Sequence, residues 1–147
     1  MKALPFAALV TLVCLPLVLA VARAADPDKD ELQGVWIATS MEINGNPAPA
    51  KEVEATRFTF KGQKLLYRNS KGGGKEDEGT CQVDPKKSPK QLDITSKDKT
   101  LHGIYEVKGD ELKICFENGD KAENRPKKFA TNTEEELVLI VFKRQKP

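Results

Sequence analysis

The chain has 147 residues, with 24 basic side chains against 22 acidic ones, three cysteines and one histidine. That length fits one domain. The near-balance of charge argues against nucleic acid or an anionic membrane surface as a partner, because both favour a strong basic excess.

Lys2 precedes an apolar run from Ala3 to Ala22. Ala22-Arg23-Ala24 then gives a small-x-small exit into the polar Ala25-Asp26-Pro27-Asp28. A basic start, an apolar middle and a small-residue exit are the order of a secretory signal peptide over 1–24. The run is nearly long enough to span a bilayer, so an uncleaved anchor is the alternative. Cys14 follows Val13 rather than a small residue, which argues against a lipoprotein cleavage site. Cleavage removes Lys2 and Arg23 and leaves 123 residues with 22 basic and 22 acidic side chains. The expected location is the periplasm or the extracellular space, with no membrane attachment after cleavage.

Residues 25–33 read as a tail that ends in a helical turn, with Asp28 as N-cap and Leu32 as its one apolar side chain. The domain proper runs over 34–147. Strand one covers about 35–43 and ends at Asn44-Gly45, a strong hairpin signal. A loop at 46–49 leads to one helical turn at 50–53. Period-two segments follow at 56–60, 64–68, 79–83, 91–95, 103–107 and 111–116. Lys108-Gly109-Asp110 marks a tight hairpin. After the longest polar loop, 117–126, a short strand at 128–130 and a last strand at 136–143 complete the set. The connections are too short for parallel crossovers, so sequence neighbours should be antiparallel neighbours. Closing such a meander removes its exposed edges. The expected fold is all-β, an antiparallel up-and-down β-barrel of about eight strands with a short N-terminal helical turn. An open sandwich is the alternative.

Alternation assigns an inward set: Trp36, Phe58, Phe60, Leu65, Tyr67, Val83, Leu92, Ile94, Tyr105, Val107, Leu112, Ile114, Phe116, Leu139 and Val141. Many of these are large, so a mostly filled interior with a small mouth is expected. The last strand is apolar on both faces, and its outer face needs a cover, for which the turn carrying Leu32 is the candidate. Alternation breaks after Ser40, where Met41 and Ile43 take over, as a β-bulge would explain. Cys81 reads as inward and Cys115 as outward. Opposite faces do not easily bring two Cβ atoms within ~4.5 Å, which argues against a disulfide between them.

Gly34-Val35-Trp36 opens the first strand directly after a helical turn, and Arg144 closes the last one. This resembles the lipocalin arrangement, in which a Gly-x-Trp plugs the barrel floor and an Arg lies across the Trp. Further segments carry a narrower likeness. They are Leu32 to Trp36, Glu42 to Gly45 with Pro47 to Ala50, Phe58 to Gly62, Leu101 to Glu106, Gly109 to Phe116, and Arg125-Pro126. Together they resemble a lipocalin-like family of exported conserved hypothetical proteins expanded in planctomycete bacteria, over about residues 31–144. The resemblance implies a lipocalin-like barrel, an exported location, and a structural floor of Gly34, Trp36 and Arg144. It brings no activity, catalytic residue or ligand with it. Cys81 stands where that family leads one to expect an aromatic residue.

Catalytic chemistry has little to work with. A hydrolytic triad needs a nucleophile, a His base and an orienting acid. His102 is the only histidine, and Ser40, Ser70, Ser88 and Ser96 sit in strand or loop contexts without a nucleophile elbow. A zinc site wants three or four thiolate or imidazole ligands, and His102, Cys81 and Cys115 are expected to face different ways. His102 reads as a surface residue beside Glu106. Gly72-Gly73-Gly74 leads into Lys75-Glu76-Asp77-Glu78 rather than a helix, so it is a hairpin loop and not a phosphate loop. Glu134-Glu135-Glu136 reads as a solvated run. No enzyme activity, metal or cofactor is expected.

The expected function is therefore non-catalytic binding of a small apolar or amphipathic ligand by a monomer. Phe58, Tyr67, Tyr105 and Leu112 are the candidate ligand-binding residues, with Phe58 nearest the mouth and the Tyr105 hydroxyl orienting a polar head. The alternative is a protein-binding module, an inhibitor or envelope adaptor, that uses the rim loops 44–55, 69–77 and 117–127 above a filled interior. A cavity of ~300 Å³ or more favours the first reading.

Overall fold

The computed structural model describes residues 27–147. The segment read as a signal peptide lies outside them. Helix α1 (Pro27–Leu32) leads into β1 (Gly34–Ile43), followed by β2 (Asn46–Pro47), α2 (Ala50–Ala55), β3 (Arg57–Lys61) and β4 (Lys64–Arg68). Then come β5 (Glu76–Asp84), β6 (Gln91–Ser96), β7 (Lys99–Lys108), β8 (Glu111–Glu117), a 3₁₀ turn (Ala122–Asn124) and β9 (Leu137–Arg144). From β3 onward each strand pairs antiparallel with the next, and β1 pairs with both β3 and β9. Eight strands thus close into a lipocalin-like barrel, and the sandwich is excluded.

Local chemistry explains the turns. Asn44 and Gly45 both take positive φ, 51° and 76°, the combination a type I′ hairpin requires. The turn folds β2 back onto the end of β1, with Ile43 opposite Asn46. Three expectations fail locally. Helix α1 begins at Pro27, so Asp28 lies inside it rather than at its cap. Asn46-Pro47 is a two-residue strand rather than loop. No strand forms at 128–130, which belongs to the long β8–β9 connection.

The register between β1 and β9 decides which side chains point inward. Trp36 stands opposite Arg144 and Ala38 opposite Phe142; the pairing then shifts between Ala38 and Ser40, so that Met41 faces Ile140 and Ile43 faces Val138. This is the expected bulge, and it moves the inward face of β1 from even to odd positions. It leaves the inward face of β9 even. The core residues of β9 are Val138, Ile140 and Phe142, while Leu139 and Val141 lie on the outer face, half-buried. The expected inward pair on this strand is therefore wrong: a strand apolar on both faces carries no alternation to read, and its register comes from the partner strand. Leu32 does not cover that outer face either. It is buried in the core beside Trp36.

The closed end is built around Trp36, which is fully buried. The Arg144 guanidinium lies 4.2 Å from its ring centroid. Its Nη1 donates to the Gln33 carbonyl and its Nη2 to the Glu31 carbonyl, each at 2.6 Å. Trp36 Nε1 donates to the Leu32 carbonyl at 2.8 Å. These carbonyls at the end of α1 have no partner within the helix, and a cation there also suits the helix dipole. Gly34 turns the chain from helix to strand at φ 111°, a backbone open to glycine and strained for other residues. Gln33 completes the closure by exchanging two hydrogen bonds with the backbone of Gly62, in the β3–β4 turn.

Arg144→Ala removes a cation–π contact and two charge-assisted hydrogen bonds. It should lower stability by about 2 kcal/mol in urea unfolding and shift the emission of Trp36. The chain has a single tryptophan, so the signal is unambiguous. Unchanged stability and emission would show that the floor does not depend on this stack.

Candidate functional site

The strands run alternately toward and away from the floor, so the opposite end of the barrel carries α2, the β4–β5 loop, the β6–β7 hairpin and the start of the long β8–β9 connection. At that end a cavity of about 360 Å³ enters the barrel. Phe58 lies low in it. Its ring packs against Phe142 at 4.9 Å between centroids and meets Phe60 and Tyr67 edge-on at 6.2 and 6.4 Å. Met41 and Ile43 from β1 and Val138 and Ile140 from β9 make one wall. Leu65, Ile94, Leu101 and Phe116 continue the apolar lining from β4, β6, β7 and β8. The polar atoms sit higher. Tyr67 Oη and Ser96 Oγ are 2.7 Å apart, and Ser96 donates to the Glu78 carbonyl at 3.3 Å.

Of the four candidate ligand residues, the structure brings together two. Phe58 and Tyr67 line the cavity. Tyr105 and Leu112, 2% and 0% exposed, are in the packed closed half and are not part of its lining. Phe58 is at the inner end rather than nearest the mouth, because its strand pairs with the start of β1, opposite Trp36. The polar hydroxyl at the cavity belongs to Tyr67, not Tyr105. Met41, Ile43, Leu101, Val138 and Ile140 line the cavity but stand outside the expected inward set. The bulge after Ser40 signalled Met41; for Val138 and Ile140 the signal was Arg144, which shares their face.

A larger cleft of about 660 Å³ lies outside the barrel, under the long β8–β9 connection. Charged side chains of both signs line it, among them Glu123, Glu134, Glu135, Lys127 and Lys128. It offers far less apolar wall than the barrel mouth. The connection itself is fastened by Arg125. Nη1 donates to the carbonyls of Gly103 (2.7 Å) and Leu92 (3.0 Å), and Nη2 donates to Asp93 Oδ1 (2.6 Å). His102 faces outward as expected, but its partner is Asp93 across the β6–β7 pair, with Nδ1 2.8 Å from Oδ1. Among the described residues no Ser, Thr or Cys side chain hydrogen-bonds to His102.

Beneath this clasp lie Ile104, Cys115 and Leu137, all buried although they point away from the barrel core. The Cys115 thiol faces the Ala130 carbonyl at 3.9 Å. Cys81 is buried inside the barrel, and both thiols are free. Burial pushes the Cys81 thiol up to about 12 and the Cys115 thiol up to about 11. Among the described residues no group of three His, Cys, Asp or Glu side chains is placed to hold a metal ion. No protein family, curated protein or solved structure matches the chain.

Two outcomes follow for the thiols. At pH 8 neither should react with Ellman's reagent in the folded protein, and Arg125→Ala should open Cys115 alone. Labelling of Cys81 in that variant, or of neither thiol, would contradict the clasp. Because both folded thiols hold their protons above the ordinary value of 9.0, the unfolded chain loses protons first. The stabilisation from keeping them neutral is complete below about pH 9 and is lost as pH rises through about 11. Urea midpoints from pH 8 to 11 should therefore fall, and Cys81→Ala with Cys115→Ala should flatten the fall.

Proposed function

We propose that the chain is an exported, non-catalytic binding protein of the lipocalin-like type, which takes a small apolar or amphipathic molecule into the open end of its barrel. The cavity of about 360 Å³ carries this reading. Its volume falls within the range of small-molecule sites, at the lower end. Its deep walls are apolar, and the polar groups are concentrated toward the mouth. Apolar surface facing water in a narrow pocket is a standing driving force for an apolar occupant. Lys2, the run from Ala3 and the Ala22-Arg23-Ala24 exit support export. The motifs from Leu32 to Trp36 and at Arg125-Pro126 support kinship with the exported lipocalin-like family of planctomycetes.

The test is a titration with N-phenyl-1-naphthylamine, an uncharged apolar dye. Wild type should bind it saturably at one site. Leu101→Trp, which fills the mouth with a larger side chain, should weaken binding by about tenfold or more while the melting temperature holds. Absence of dye binding by wild type would sink this reading and make the rim-loop protein-binding module the better one.

A further inference from the structure

The lining of the cavity is one-sided in its polarity. Four charged side chains line it: Lys71, Lys97, Lys99 and Glu52. The three lysines come from the β4–β5 loop and the β6–β7 hairpin, so they stand on one arc of the mouth, from β4 to β7. The Tyr67 and Ser96 hydroxyls lie on the same arc, on β4 and β6. Glu52 stands on α2, between β1 and β3, outside it. The opposite arc is the apolar wall of Met41, Ile43, Phe116, Val138 and Ile140, with Asn118 at its rim after β8 and no charged side chain on it.

Two of the lysines are uncommitted. Lys71 and Lys97 make no ion pair or side-chain hydrogen bond among the described residues, while Lys99 Nζ donates to the Asn118 carbonyl at 2.6 Å. Lys97 also holds φ at 54°, where Asn or Gly would be less strained. A mouth with a net positive arc beside an apolar wall recognises a molecule with the matching division. The cavity volume is that of about a dozen water-sized groups, at ~30 Å³ each, which suits a single medium-length chain.

We propose that the ligand is an anionic single-chain amphiphile, with its carboxylate or phosphate monoester head on the Lys71–Lys97–Lys99 arc and its tail against the β8–β9–β1 wall down to Phe58. This rests on the cavity reading above and adds the sign and position of the head group. Each exposed lysine contributes modestly in water, and three together give about a tenfold preference for an anionic head.

Displacement of N-phenyl-1-naphthylamine separates the two claims. Decanoate, decyl phosphate, decanol and decyltrimethylammonium are compared below their micellar concentrations. One or both anions should displace the dye at about tenfold lower concentration than decanol, with the cation weakest. Which anion leads tells a carboxylate from a phosphate ligand. Lys71→Gln with Lys97→Asn, which leaves Lys99 in place, should cut the anion advantage over decanol to about twofold without lowering the melting temperature. The head-group proposal is overturned if decanol matches the anions, or if the double variant keeps their full advantage; dye binding would then still support the cavity. If wild type binds no dye, the cavity reading fails and this proposal falls with it.

Discussion

Arg144 holds three separate parts of the chain with one guanidinium. It covers the Trp36 ring on β1, donates to the orphan carbonyls of Glu31 and Gln33 at the end of α1, and approaches Asp110 of the β7–β8 hairpin at 3.7 Å. The last of these is a loose outer contact. Asp110 is bound more directly by Lys146 at 2.8 Å, whose hydrogen bond holds the carboxyl below its ordinary range. The inner two contacts matter more. Trp36 and Arg144 are cross-strand partners in the seam that closes the barrel. Slipping that pairing by one residue would turn every inward side chain of β9 to solvent. Floor, seam and core face are thus set by the same pair.

From that seam the interior divides in two. Around the floor, Leu32, Trp36, Phe60, Leu112, Ile114 and Phe142 fill the cross-section. Farther up, the bulge between Ala38 and Ser40 changes which β1 residues face inward, and the lining passes to Met41, Ile43, Val138 and Ile140. Apart from the tight β6–β7 hairpin, the connections at this end are longer than those at the floor and lie around the mouth, so the packed half can stay rigid while the loops vary. The longest of them is not left loose. Arg125 and the buried Pro126 fasten it over Ile104, Cys115 and Leu137. Gly103 sits under the clasp because a Cβ there would stand 2.7 Å from the Cys115 carbonyl oxygen.

Much of this was legible in the sequence, and for identifiable reasons. Period-two alternation with Asn44-Gly45 and Lys108-Gly109-Asp110 gave the strands and their antiparallel order. Gly34-Val35-Trp36 with Arg144 gave the floor. The inward face of β9 was not legible from its own residues, since Leu137 to Phe142 are apolar throughout. It was implied by Arg144, whose even position aligns it with Phe142, Ile140 and Val138. Tyr105 and Leu112 were placed in the site because large inward residues look alike in sequence. Only the pairing registers show that one stands opposite Ile114 and the other opposite Phe142, in the closed half. The Asp93–His102–Arg125 cluster was hidden for another reason. It joins three residues through strand pairing and a loop docked from 22 or more residues away.

The claim that binding is confined to the open half can be tested by methyl-resolved NMR of the protein with and without saturating decanol. Shifts should appear at Ile94, Leu101, Val138 and Ile140 and be absent at Leu112 and Ile114. Shifts at the closed-end methyls, or no shifts anywhere in the barrel, would contradict a packed floor beneath an open, occupiable cavity.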